Sequence, residues 1–222
     1  MSIGPFVRRL FGPYEHQVGE VYRALYIDID TFVELLQLWN PVASRILEVG
    51  CGEGSVTERL SVAYPDADIA AIDITPRLGR LYRGSLDRVK FIRCTAQEMA
   101  ATHAGHFDLV VLSDVLHHVP IEHRQPLLDA VRVTLAADGT LIFKDWERNY
   151  SLIHWLSYAS DRWLTGDRIS YMSRAEMREL LGRSFGETAL VDEARVAPRW
   201  NNLATLVRPP IQDPGSRKSP RS

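Results

Sequence analysis

Short runs of consecutive apolar residues alternate along this chain with stretches in which apolar residues recur every third or fourth position. The runs fall at residues 46–49, 67–73, 89–93, 107–113 and 140–143. Each is of strand length and apolar enough to be covered on both faces. Helical spacing lies between them. Val56, Leu60 and Ala63 follow the first run, and Leu127, Leu128, Val131 and Leu135 share one face of a helix predicted over 121–135. Strand and helix thus alternate five times, a pattern that calls for a parallel sheet covered on both faces.

The flanks read differently. Residues 1–15 are punctuated by Gly and Pro and form a loose lead-in. From 15 to 38, Val18, Val21, Leu25, then Phe32, Leu35, Leu36 and Trp39 predict two helices, with Asp28 or Thr31 available to cap the second. Residues 174–181 predict another helix, and 188–192 and 203–207 two closing strands. The last residues, from Arg208 on, are rich in Pro, Ser and Arg without apolar periodicity, and a disordered tail is expected over 209–222.

The strand ends carry the candidate chemistry. The first run stops in Glu48-Val49-Gly50-Cys51-Gly52-Glu53-Gly54, so strand, glycine turn and helix follow one another. Glycine has no Cβ and adopts positive φ freely, which lets backbone approach a ligand closely. Asp73 ends the second run, placed to accept hydrogen bonds from two ribose hydroxyls or to cap a helix that Pro76 could open. The fourth run leads into Ser113-Asp114-Val115-Leu116-His117-His118-Val119-Pro120. Ligands of such sheets bind beyond the carboxyl ends of the strands. Gly50 to Gly54, Asp73, Thr95-Ala96, Ser113 to His118 and Asp145 are all expected there, on one edge.

The spacing Gly-x-Gly-x-Gly differs from the Gly-x-Gly-x-x-Gly of dinucleotide folds. With an acid two residues ahead of it, and with Phe107-Asp108-Leu109-Val110-Val111-Leu112-Ser113-Asp114-Val115-Leu116-His117-His118-Val119-Pro120 downstream, the chain resembles class I S-adenosylmethionine-dependent methyltransferases. The resemblance spans about residues 25–208, with its specific motifs between 46 and 120. It implies a seven-stranded, mostly parallel Rossmann-like sheet with helices on both faces, ending in an antiparallel pair. It also implies S-adenosylmethionine as cofactor, held by Glu48, Gly50, Cys51, Gly52, Gly54, Asp73, Ile74, Thr95, Ala96, Gln97 and Ser113. Many members have aspartate where this chain has Thr95; a hydroxyl can accept a hydrogen bond from the adenine amino group, without charge assistance.

On this reading one domain fills 1–208, with 1–40 as a helical cap and 146–173 as a substrate lid inserted after the fifth strand. The lid is aromatic, holding Trp146, Trp155, Trp163, Tyr150, Tyr158 and Tyr171. Its alternative is an amphipathic helix packed on the domain, and the tyrosines of the prefix are equally open between core and cap. The acceptor site is expected at Tyr14, Tyr22, His117, Asp145, Trp146, Trp155 and Tyr158. His117 is the candidate general base, since histidine titrates near neutral pH, and His154 the second; both have structural alternatives. No metal is expected, because a sulfonium donor arrives activated and the usual Asp-Asn pair is missing after the fifth strand.

Composition narrows the partners. The 222 residues are 45% hydrophobic, enough for a full core, and carry a net charge of −2. Such a balance gives no case for nucleic acid or an anionic membrane, and no segment approaches the length of a membrane span. Cys51 and Cys94 lie far apart without C-x-x-C spacing, which suits a reducing cytoplasm. The expectation is a cytoplasmic monomer or homodimer that methylates an apolar or aromatic small molecule, natural product, quinone or lipid, on oxygen or carbon. The rivals are an RNA or protein methyltransferase, which calls for a basic face or a base-binding motif, a non-catalytic donor-binding protein, and a nicotinamide dehydrogenase.

Overall fold

The computed structural model describes residues 28–148, 170–197 and 201–210. Seven strands, β1 (Arg45–Val49), β2 (Asp68–Asp73), β3 (Val89–Arg93), β4 (Phe107–Ser113), β5 (Leu135–Trp146), β6 (Leu190–Arg195) and β7 (Asn202–Val207), form one sheet in the order β3-β2-β1-β4-β5-β7-β6. The first five run parallel, and β7 lies antiparallel to both β5 and β6. The expected architecture is present. Leu47 pairs with Ala70 on one side and Val110 on the other, so the carboxyl ends of β1 to β5 share one edge. The chain works outward from β1 to β3 and then returns to β4, which makes the gap between β1 and β4 the switch point where ligands of such sheets sit.

Among the described residues five helices cover the faces: α1 (Ile29–Trp39), α2 (Ser55–Ala63), α3 (Ala96–Thr102), α4 (Ile121–Thr134) and α5 (Arg174–Phe185). On one face Phe32 and Leu36 of α1 and Leu60 of α2 pack with Ile46, Leu109, Val111 and Ile142. On the other, Met99, Leu128, Val131, Leu181 and Phe185 pack with Leu47, Val110, Leu112 and Phe143. Burying each such side chain contributes about 1.5–3 kcal/mol. Asp28 caps α1, its carboxylate accepting from the Thr31 amide at 3.0 Å and from the Thr31 hydroxyl at 2.8 Å. The described part of the expected 1–40 cap is therefore a layer of the core; Tyr14 and Tyr22 lie outside the described residues.

Three boundaries differ from expectation. No helix joins β2 to β3. The 74–88 connection turns back instead, and the amides of Gly79 and Leu81 donate to the carbonyls of Gly52 and Glu53 at 3.0 and 2.8 Å. Gly79 has φ +64, and any Cβ there meets the Phe91 ring at 2.8 Å. Strand β5 starts earlier than 140, because the turn read at 137–139 is an irregularity within it: Phe107 pairs with Leu135 but Leu109 with Thr140. Helix α5 continues to Phe185, which displaces β6 to Leu190–Arg195. Among the described residues no helix is long and apolar enough to cross a membrane.

Candidate active site

The glycine turn is held by backbone. Both Gly50 and Cys51 donate to the carbonyl of Ile72, at 2.8 and 3.1 Å, which ties the end of β1 to the end of β2. Gly50 has φ +79, and a Cβ there lies 2.2 Å from Val115 Cγ2, so the second residue after β4 closes directly on the turn. Gly52 differs: it has φ +50, and a Cβ meets nothing within 4 Å. Among the described residues, the turn thus faces open space at its middle glycine. Gly54, with φ 92, is the N-cap of α2.

Asp73 completes this half. Its Oδ2 accepts from Gly52 N at 2.8 Å and its Oδ1 from Thr75 N at 2.9 Å. Each carboxylate oxygen keeps a further lone pair. The helix cap expected as an alternative for Asp73 is instead an Asx turn with no helix after it. Ile74 follows and is 69% exposed, a large apolar side chain presented at the strand edge. Glu48 is buried one step behind, its Oε2 accepting from the Thr57 hydroxyl at 2.6 Å. Burial, opposed by that bond and aided by the Asp73 charge, pushes its carboxyl up to about 7. Cys51 is buried, and burial raises its thiol well above the ordinary range, which makes it packing rather than a nucleophile.

Beyond β3, Thr95 is the N-cap of α3. Its hydroxyl donates to Glu98 Oε2 at 2.9 Å and accepts from Glu98 N at 3.2 Å, and its amide donates to Glu98 Oε2 at 2.8 Å. The hydroxyl expected to accept from the adenine amino group has its proton and one of its two lone pairs engaged in the capping box. Ala96, buried, and Gln97, exposed, open the helix behind it, and Ser113 is buried at the end of β4.

The other half, at the ends of β4 and β5, is built from side chains. A single 3-10 turn, Leu116–His118, follows β4. The buried His117 meets Asp145 through Nδ1 and Oδ1, and its amide donates to Asp145 Oδ2 at 3.1 Å. Asp145 is 0% exposed, and its Oδ1 also accepts from Trp146 N at 2.8 Å. Burial alone raises a carboxyl, but His117, the Trp146 amide and Lys144 together hold Asp145 below its ordinary value. Asp145, expected in the acceptor site, is thus fully buried, and among the described residues it meets His117 there. His118 is exposed, its ring 4.1 Å from that of His117.

Trp146 is buried rather than presented at the edge. Its ring lies 6.2 Å from Tyr171, which lies 5.4 Å from the His117 ring. The two described ends of the 146–173 insertion meet here. Glu147 bridges Met172, Arg148 N donates to Met172 O at 2.7 Å, and Ser170 N donates to His117 O at 3.0 Å. Buried Arg124 clamps the same place, donating to Val119 O at 2.9 Å and Ser170 O at 2.7 Å. His154, Trp155 and Tyr158 lie outside the described residues. Arg124 and Lys144 were not among the expected site residues. Lys144 had one visible signal, a charge directly after the apolar run 140–143, which reads equally as the strand's end.

Known proteins agree with this geometry. The family model described as a methyltransferase domain matches residues 14–186. A ubiquinone biosynthesis O-methyltransferase of Psychrobacter cryohalolentis is 33% identical over 113 residues, 47% of this chain and 42% of that protein. The chain spans less than half the length of the curated relatives it matches. In fold it is similar to the 1,6-didemethyltoxoflavin-N1-methyltransferase of Burkholderia thailandensis, solved with 1,6-didemethyltoxoflavin and S-adenosylhomocysteine, with a TM-score of 0.66 at 18% identity over 92% of this chain and 87% of that one. It is similar also to mitomycin 7-O-methyltransferase, with a TM-score of 0.64 at 15% identity over 81% of this chain and 52% of that one. With the matched model covering most of its length and the sheet order and glycine turn in place, the chain belongs to the methyltransferase domain family.

Proposed function

We propose that this protein transfers a methyl group from S-adenosylmethionine to an apolar or aromatic small molecule, on oxygen or carbon. The observation that carries the reading is the glycine turn: open space at Gly52, tied to Asp73 by the Gly52 amide. A donor with a ribose and an α-amino acid end fits such a cradle. Gly50, Cys51, Gly52 and Gly54 hold the amino acid end, with Glu48 behind them and the Ser113 carbonyl beside them. Asp73 takes the ribose hydroxyls on its remaining lone pairs. Ile74 packs on the adenine, with Ala96 and Gln97 at its rim and Thr95 shaping that rim as a helix cap. When bound, S-adenosylmethionine supplies a methyl carbon on a positively charged sulfur, which leaves with the bonding pair as the acceptor atom attacks from the opposite side.

The protein's share is positioning, water exclusion and one proton. His117 receives the proton of an acceptor hydroxyl. Asp145 fixes the ring by taking Nδ1–H, so Nε2 is the basic nitrogen. His154 is the second candidate base. Tyr171, beside Trp146, backs His117, and Tyr14, Tyr22, Trp155 and Tyr158 are the further candidate acceptor residues. The relatives named for ubiquinone biosynthesis and the neighbour holding 1,6-didemethyltoxoflavin support a ring-shaped acceptor. The net charge of −2 supports a small molecule over nucleic acid, and the free thiols Cys51 and Cys94 suit the cytoplasm.

The test is incubation with methyl-labelled donor and, separately, a panel of quinols and phenols, bulk RNA and a protein extract. Label is expected in the organic-soluble product of the panel. Label entering RNA or protein instead contradicts the small-molecule reading.

A further inference from the structure

His117 is fastened by its main chain as well as by its ring. Its amide donates to Asp145 Oδ2 at 3.1 Å, and its carbonyl accepts from Ser170 N at 3.0 Å. Both partners are distant in sequence: Asp145 ends the parallel part of the sheet, and Ser170 lies on the described carboxyl-terminal side of the insertion. The turn itself supplies few bonds, from His118 N to Val115 O at 3.0 Å and from Val119 N to Leu116 O at 3.1 Å. A single 3-10 turn is a weak structure, so what grips it from outside sets where His117 stands.

Arg124 provides that grip. It stands near the start of α4, 4% exposed. Its Nε donates to Val119 O at 2.9 Å and its Nη2 to Ser170 O at 2.7 Å. One guanidinium therefore joins the end of the His117 turn to the residue whose amide holds the His117 carbonyl. A planar fork with fixed donor directions sets the spacing between two carbonyls, whereas an ammonium is a point charge on a flexible stem. Sealing a guanidinium from water is costly. Burial accordingly lowers the proton affinity of Arg124, against the pull first of Asp145 and then of Glu176. Both carboxylates are themselves fixed, Asp145 by His117 and Glu176 by Ser173 and Arg148. The costly charge sits where the His117 turn, the insertion and Asp145 converge.

We propose that Arg124 is the positioning residue of His117: by holding Val119 O and Ser170 O together, it keeps the imidazole seated on Asp145 and aimed at the methyl acceptor. Its effect on turnover rests on the methyl-transfer reading; its effect on the His117 ring does not. Without Arg124 the His117–Asp145 pair is chemically intact, but the turn that carries it drifts. A displacement of about 1 Å at a reacting group costs on the order of a hundredfold in rate. The glycine turn is untouched, so donor affinity stays.

The test compares full-length wild type, Arg124→Met and Arg124→Lys, each at the same interval below its own melting midpoint. The first readout needs no ligand: the downfield proton NMR resonance of the His117 Nδ1–H, assigned by its loss in His117→Gln. Wild type is expected to show it sharp, and Arg124→Met to broaden or lose it through exchange with water. The second readout is steady-state kinetics with S-adenosylmethionine and the phenol or quinol of the panel that wild type labels fastest. Arg124→Met is expected to lower kcat by about 10- to 100-fold, with KM for donor and acceptor within about threefold. Arg124→Lys keeps the charge without the fork and is expected to fall between the two in both readouts. A wild-type resonance or a wild-type kcat in folded Arg124→Met overturns the proposal. So does a loss confined to KM, or a wild type without the resonance. Should Arg124→Met not fold, Arg124→Lys decides: a broadened resonance supports the assignment, and an unchanged one overturns it. Absence of turnover by wild type across the whole panel is a separate result that removes the methyl-transfer reading, and the resonance alone then decides on Arg124.

Discussion

The ends of β1 to β3 and the ends of β4 and β5 lie on the same sheet edge but are built by different means. At β1 to β3 the geometry is set by main chain. Gly50 and Cys51 bond to the carbonyl of Ile72, Gly79 and Leu81 return to the carbonyls of Gly52 and Glu53, and Asp73 fastens the middle of the turn. At β4 and β5 it is set by paired charges, His117 with Asp145 and Asp114 with Lys144, of which all but Asp114 are buried. A backbone cradle binds any ligand of the right outline and is insensitive to most side-chain changes. Buried charge pairs are specific, because removing one partner leaves the other desolvated and unpaired. The first half suits a cofactor shared across a family, and the second a substrate particular to this chain.

If the halves divide the work, changes in one leave the other's readout alone. The largest effect is expected from His117→Ala, which removes the proton acceptor and lowers kcat by about 10²–10⁴-fold. An unchanged kcat with a hydroxyl acceptor takes His117 out of the chemistry. Next in size is the pH response of the donor half. Glu48 stays protonated in the free folded protein up to about 7, against an unfolded value of 4.5. The donor's ammonium favours the ionised form, so affinity is expected to rise by up to about tenfold per pH unit below 7 and level off above it. Stability of the free protein runs the other way. The folded state holds the extra proton, so this contribution is complete below 4.5 and declines as pH rises to about 7. Calorimetry and thermal melts between pH 5 and 8 check both signs, and Glu48→Gln should flatten each profile. The smallest effect is expected from Thr95→Ala, which loses the capping box at a cost of about 1 kcal/mol in stability. Donor affinity should stay within about twofold, as measured by denaturant unfolding alongside donor titration. A larger loss of affinity means the hydroxyl does face the adenine.

The two halves also differ in how openly the sequence announces them. Gly50, Gly52 and Gly54 are conspicuous because only glycine adopts those conformations freely, and Asp73 is conspicuous as an acid closing an apolar run. Those signals are local. Lys144 and Asp114 are thirty positions apart and meet only because Ser113 pairs with Lys144 in the sheet register. No local pattern encodes that register. His117 stood out by its residue type, but its partner Asp145 resembles an ordinary strand-end acid until β5 is laid beside β4. The missing helix between β2 and β3 had a similar cause. Pro76 permits a helix, whereas the bonds from Gly79 and Leu81 to the glycine turn are tertiary and prevail.

The central claim is that the cradle at Gly52 and Asp73 binds the donor independently of the charge pairs opposite. It is tested most directly by calorimetric titration of S-adenosylhomocysteine into wild type, Asp73→Ala and His117→Ala. Wild type is expected to bind, His117→Ala to bind with the same Kd, and Asp73→Ala to bind weaker by about 1.5–3 kcal/mol, the worth of hydrogen bonds to a charged acceptor. No binding by wild type, an Asp73→Ala affinity equal to wild type in a folded protein, or an equal loss in both variants contradicts it.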